Sequence, residues 1–105
     1  MVTVTFYRSG DLLHGFKISG HSGYAQEGSD IVCAAVSSAS LMVANTITDI
    51  QQLNADVAAS DAFLSLEMQP SEAYKAKDIL NGLKLHLTAL AEQYNKYIKV
   101  QISEV

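Results

Sequence analysis

Apolar and polar residues alternate from position 2 to 8, with Val2, Val4 and Phe6 on one face and Thr3, Thr5 and Tyr7 on the other, the period of a half-buried strand. Ser9-Gly10-Asp11 supplies a turn, and alternation resumes from Leu13 to Ser19, setting Phe16 and Ile18 against Lys17 and Ser19. The first twenty residues therefore predict a hairpin. Ser29 is a good N-cap, and the helix it opens is predicted to run through Ile31, Val32, Val36, Val43, Ile47 and Ile50 to about Leu53. A third strand follows: Ala62, Leu64, Leu66 and Met68 alternate with Phe63, Ser65 and Glu67 until Gln69-Pro70 ends the run. Ser71 is placed to cap a second helix whose apolar positions, Ala76, Leu80, Leu83, Leu87, Leu90 and Tyr94, are spaced by threes and fours. Gly82 inside it costs about 1 kcal/mol relative to Ala without overturning the pattern. Ile98, Val100 and Ile102 alternate with Lys99, Gln101 and Ser103 in a last strand.

The predicted order is ββαβαβ. This is an α+β, two-layer domain, with a four-stranded, mainly antiparallel or mixed sheet packed by one face against two helices. With 105 residues, the chain suffices for one domain, residues 1–105, with a core that needs neither disulfides nor a structural metal.

The first helix is unusual. From Ile31 to Thr48 there is no charge and no His, a length of about 27 Å if helical and near the lower limit of a bilayer span. Ser37, Ser38, Ser40, Asn45, Thr46 and Thr48 interrupt it and no basic flank follows, so the segment reads as a soluble helix and not a membrane span. A helix apolar almost all round must be covered on more than one side. In a two-layer protein the second cover could be another subunit, which makes a homodimer the expectation.

Charge sharpens the picture. The net charge of −4 argues against direct binding to nucleic acid or an anionic membrane, whose readers are basic. The distribution says more than the sum: between Lys17 and Lys75 there is no Lys or Arg, while Glu27, Asp30, Asp49, Asp56, Asp61, Glu67 and Glu72 all fall there. A site built from this stretch should favour a cationic partner. The start, Met1-Val2-Thr3-Val4-Thr5-Phe6-Tyr7, lacks the basic and apolar regions of a signal peptide. A cytoplasmic location, in which the single Cys33 stays reduced, is expected.

Candidate chemistry concentrates in Gly20-His21-Ser22-Gly23-Tyr24-Ala25 and Asp30-Ile31-Val32-Cys33-Ala34-Ala35-Val36-Ser37. Four of the six glycines, Gly15, Gly20, Gly23 and Gly28, fall around the first segment, predicting a mobile loop. With Ser29 as cap, Cys33 is the fourth helical residue, near the positive end of the dipole, a placement that favours a thiolate. Asp30, Cys33 and Ser37 share one stripe, and the loop can fold His21 back over it. A cysteine nucleophile needs an imidazole partner and often a third group to orient it. Asp30 helps only if directed at the imidazole, since beside the sulfur its charge opposes the thiolate. The competing reading is structural: Cys33 as a small buried hydrophobe, His21 as a surface residue, Asp30 as a dipole partner and Ser37 as a tolerated small side chain. His14 and His86 are weaker candidates.

Other chemistries fit less well. The glycine loop has no Walker-type Lys, and the only Arg, Arg8, lies in the first strand, far from any phosphate loop. Metal binding would need two ligands beyond His21 and Cys33 at no recognisable spacing. Neither a metal nor a cofactor is expected.

The same residues resemble a known family. The Gly20-to-Ala25 loop, Asp30-x-x-Cys33-x-x-x-Ser37 and the later Asn45-Thr46 are similar in order and spacing to the ribosomal-processing cysteine protease family Prp, over essentially the whole chain. The resemblance implies an endopeptidase that removes a short N-terminal extension of the large-subunit ribosomal protein L-twenty-seven after an aromatic pair, supporting ribosome assembly. It also implies a homodimer. By the same resemblance Cys33 is the nucleophile and His21 the general base and then acid. Gly20, Ser22, Asp30 and Ser37 would act in loop geometry, orientation and substrate contacts. The loop would close as a lid, and a backbone amide at the helix start would hold the oxyanion. A basic ribosomal segment would suit the acidic central stretch. The alternative is a non-catalytic ribosome-assembly factor that binds such a segment and in which Cys33 is structural.

Overall fold

The computed structural model describes residues 1–26 and 30–105. Strands β1 (Val2–Ser9) and β2 (Leu12–Ser19) form the expected antiparallel hairpin. Helix α1 (Ile31–Asn45) continues into a wider π turn at Thr46–Ile50, where the Thr46 and Thr48 hydroxyls donate to the carbonyls of Met42 and Ala44. Strands β3 (Asp56–Ser60) and β4 (Phe63–Glu67) make a second hairpin. One helical turn, α2 (Pro70–Ala73), tightens through a 3-10 turn at Tyr74–Ala76 into α3 (Lys77–Gln93), and β5 (Ile98–Glu104) closes the chain.

The sheet has five strands in the order β3-β4-β2-β1-β5. Its β1–β5 pair is parallel and the others antiparallel, so it is mixed. The four-stranded expectation missed β3, and the reason is physical: all five of its residues are exposed. A strand with no buried face has no apolar period to read; it forms because β4 offers its free edge. Ala62, expected inside the third strand, instead turns the hairpin at φ 56°.

Smaller corrections concern helix ends. The second helical segment begins two residues earlier than expected, with Gln69 in place of Ser71 as its N-cap and Pro70 at the first helical position, where a missing N–H is harmless. Gly82 leaves α3 unbroken, and the irregularity lies at Tyr74–Ala76 instead. The first helical run stops at Ile50, followed by Gln52 at φ 54°.

The alternation places Val2, Val4, Phe6, Phe16, Ile18, Leu66 and Ile98 in the core against Val32, Val36, Val43 and Ile47 from the first helix and Leu80, Leu83 and Leu87 from α3. The Phe6 and Phe16 rings, cross-strand partners, sit 6.3 Å apart. The opposite sheet face carries Thr5, Lys17 and Ser65 in one row, with Gln101 donating to Thr5. Ile31–Ile50 is long and apolar enough to cross a membrane by length and composition. Its Val32, Val36, Ser40, Val43 and Ile47 are buried within the domain. Ile31, Leu41 and Met42 face outward, Ile31 and Met42 each 57% exposed.

Candidate active site

The site begins where β2 ends. Gly20 has φ +94° and donates its N–H to the carbonyl of Ala62, 2.9 Å away. A Cβ at this position would stand 2.5 Å from the Met1 carbonyl oxygen, so only glycine suits both the dihedral and the space. The chain emerges from this pinch with His21 exposed and Ser22 buried, 3% accessible.

Ser22 and Asp30 join the two parts of the motif. The Ser22 hydroxyl donates to Asp30 Oδ2 and accepts the Tyr24 N–H at 3.1 Å. Asp30 Oδ1 accepts the Cys33 N–H at 2.9 Å. Ser29, the expected cap, lies with Glu27 and Gly28 outside the described residues; among the described residues Asp30 is the N-cap of α1. Cys33 is consequently the third helical residue. Burial raises the Asp30 carboxyl, but N–H groups of Cys33, Val32 and Ala25 and the Ser22 hydroxyl outweigh it and hold the carboxyl below its ordinary range. The carboxylate thus serves the helix start and the loop. Among the hydrogen bonds of the described residues none joins it to His21, and of the backbone amides at the helix start the Cys33 N–H is engaged by the cap.

Cys33 is a half-buried free thiol. Together with His21 and Ser37 it lines two adjoining grooves. The first, about 370 Å³, has an apolar wall that includes Val2, Ile18, Val36, Leu41, Phe63 and Leu64. Its far rim is the tip of the β3–β4 hairpin, Ala59 to Ala62, where Asp61 is the carboxylate. The other groove, about 420 Å³, is framed by Gly23, Ala25, Asp30 and Ala34. His21 and Cys33 stand at the seam between them, an arrangement in which an extended chain crossing both grooves passes the thiol at its midpoint. Asp30, Cys33 and Ser37 all face the second groove, as their helical spacing implies. Gly20 borders the first and Ser22 stays behind the wall as a brace.

Sequence reasoning missed the hairpin rim. Asp61-Ala62 is a turn whose only local sign is a left-handed alanine, and nothing in the run Asp56 to Ser60 marks a strand. The weaker histidines lie elsewhere: His14 at the β1–β2 bulge, and His86 beside Met42 and Leu83 in a groove between α1 and α3. Among the described residues no three His, Cys, Asp or Glu side chains gather to hold a metal.

The chain is similar to several proteins of known structure. The ribosomal processing protease Prp of S. aureus, in complex with a covalently linked product peptide, superposes with a TM-score of 0.89 at 23% identity, covering 98% of this chain and 100% of that one. The same protease with a substrate peptide gives 0.84 at 22% identity, over 98% and 100%. SMU.848 from Streptococcus mutans gives 0.80 at 24% identity, over 100% and 96%. These similarities establish the shared fold. Among curated proteins no sequence matches the chain. The family described as cysteine protease Prp matches residues 1–99, and with nearly the whole chain inside that match the protein belongs to the Prp family of cysteine proteases.

Proposed function

We propose that the protein is a ribosomal-processing endopeptidase that removes the N-terminal extension of ribosomal protein L-twenty-seven in the cytoplasm. The observation that carries this reading is the position of His21 and Cys33 at the seam of two grooves. The apolar wall of the first groove, with Val2, Ile18, Leu41 and Phe63, suits aromatic side chains next to the scissile bond.

In this reading His21 takes the proton from Cys33 Sγ as the sulfur attacks the scissile carbonyl carbon, forming a tetrahedral oxyanion. Collapse breaks the C–N bond, and His21 returns the proton to the departing amine. A water then enters, gives a proton to His21 and attacks the thioester carbon; the carboxylic acid leaves and the proton returns to sulfur. No cofactor is required for this sequence. The His21 loop and the α1 start supply the reacting groups, while the Ser22–Asp30 bridge sets one against the other. Ser37, exposed one turn beyond Cys33 on the seam, is placed to touch the peptide.

A homodimer is part of the proposal. Ile31 and Met42 on α1 leave an apolar face uncovered by the monomer, and a second copy would bury it.

Mass spectrometry of the ribosomal protein after incubation with the wild type and with Cys33→Ala tests the reading. The wild type should shorten it by the extension and Cys33→Ala should leave it intact. Binding of the ribosomal protein with no cleavage by the wild type would replace this reading with that of a non-catalytic assembly factor.

A further inference from the structure

Tyr24 lies three residues beyond His21, on a segment with neither helix nor strand hydrogen bonding. Its ring meets Tyr94 edge-on at a centroid distance of 5.9 Å and 88°, and Tyr97 at 5.2 Å and 77°. Those two rings stand on a firm corner. Tyr94 donates its N–H to Leu90 at the end of α3 and accepts from the N–H groups of Tyr97 and Ile98, while the Tyr97 carbonyl accepts the Val2 N–H. The corner is therefore tied to α3, β5 and β1 together.

The segment preceding Tyr24 has two points of conformational freedom, Gly20 and Gly23, both at positive φ, with His21 between them. Backbone alone does not determine where such a segment places its imidazole. Gly20 is fixed to Ala62 at one end. At the other, Ser22 is tied to Asp30 and, beyond the second glycine, the Tyr24 ring docks on the Tyr94–Tyr97 corner. Tyr24 itself lines neither groove.

We infer that Tyr24 is a positioning residue for His21: its edge-to-face docking on Tyr94 and Tyr97 holds the His21 segment at the groove seam beside Cys33. This rests on the reading of Cys33 and His21 as a working pair. Two edge-to-face contacts together bias an equilibrium by on the order of tenfold, so loss of the ring should lower the fraction of molecules with His21 in place by about that factor. Because the Tyr24 side chain itself lines neither groove, the deficit belongs chiefly in kcat.

The experiment uses the full chain and two readouts: cleavage of an extension peptide, and the rate at which iodoacetamide alkylates Cys33, the only thiol, at neutral pH. The alkylation rate needs no assumption about the substrate. His21→Ala should slow alkylation and sets the floor. Tyr24→Ala should fall about tenfold in kcat and move most of the way to that floor, while Tyr24→Phe, which keeps the ring, stays within about twofold of the wild type. Tyr97→Leu removes one of the two contacts from the far side without altering the loop and should shift both readouts in the direction of Tyr24→Ala by a smaller step, about threefold, with cooperative thermal unfolding retained. Tyr24→Ala and Tyr97→Leu proteins with wild-type alkylation and kcat would overturn the inference, as would a rise in either. If His21→Ala alkylates at the wild-type rate, the pairing of His21 with Cys33 fails, and the positioning role fails with it.

Discussion

The Asp30 carboxylate accepts the backbone N–H of Cys33 at 2.9 Å, so the residue that begins the helix also binds the amide of the proposed nucleophile. With its other oxygen Asp30 receives the Ser22 hydroxyl from the His21 loop. One side chain thereby joins two segments whose relative position determines whether thiol and imidazole can cooperate.

Asp30→Ala should cost about 2 kcal/mol at neutral pH, since it removes a helix cap and leaves the buried Ser22 hydroxyl without its acceptor. The carboxyl is held below its ordinary range, so its stabilising contribution is complete above about pH 4, where the unfolded-state carboxyl is ionised, and is lost as pH falls through the lower folded-state value. Urea unfolding of wild type and variant should show a gap that is constant from pH 7 down to about pH 5 and narrows in stronger acid. A gap independent of pH would mean that the charge of Asp30 plays no part.

Gly20→Ala places a methyl group 2.5 Å from the Met1 carbonyl at a φ of +94°. Both strain terms act together, and the expected loss is about 2 kcal/mol or more. Because relief of that strain moves His21, peptide cleavage should fall further than stability does; a variant with lowered unfolding midpoint and unchanged kcat would show that the pinch is purely structural.

Asp61 lines the apolar-walled groove from the β3–β4 tip, and among the described residues neither ion pair involves it. Asp61→Lys should raise KM several-fold for a peptide carrying basic residues and reverse the salt response, since exposed charges act over roughly 10 Å at 0.1 M salt. Equal KM values for basic and neutral peptides in both proteins would remove Asp61 from recognition.

Sedimentation equilibrium should give twice the chain mass at micromolar concentration, and Met42→Lys, which sets a charge in the exposed apolar face of α1, should return the monomer while still folding. A wild type that is monomeric throughout would end the proposal of a homodimer.

Where burial imposes a period, the sequence was a reliable guide. Val2, Val4 and Phe6, or Leu80, Leu83 and Leu87, could be assigned to the core directly because water and core select alternately along each element. The motif residues His21 and Cys33 were also visible, since their types and spacing carry chemistry. What could not be seen depended on partners remote in sequence. β3 exists through hydrogen bonds to β4, the capping Asp30 is held by a hydroxyl eight residues upstream, and Tyr24 finds its partners seventy residues away. None of these leaves a local signature.

The pinch at Gly20 makes a local motif depend on distant chain. All residues of the motif lie between positions 20 and 37, yet the carbonyl that holds Gly20 belongs to Ala62 and the rim opposite Cys33 is Ala59 to Ala62. A nascent or truncated chain ending before the second hairpin would contain every reacting group and the residues of the second groove, but neither the Ala62 tether nor the Phe63–Leu64 wall of the first. Completion of the apolar groove therefore waits on β4 taking its place between β2 and β3.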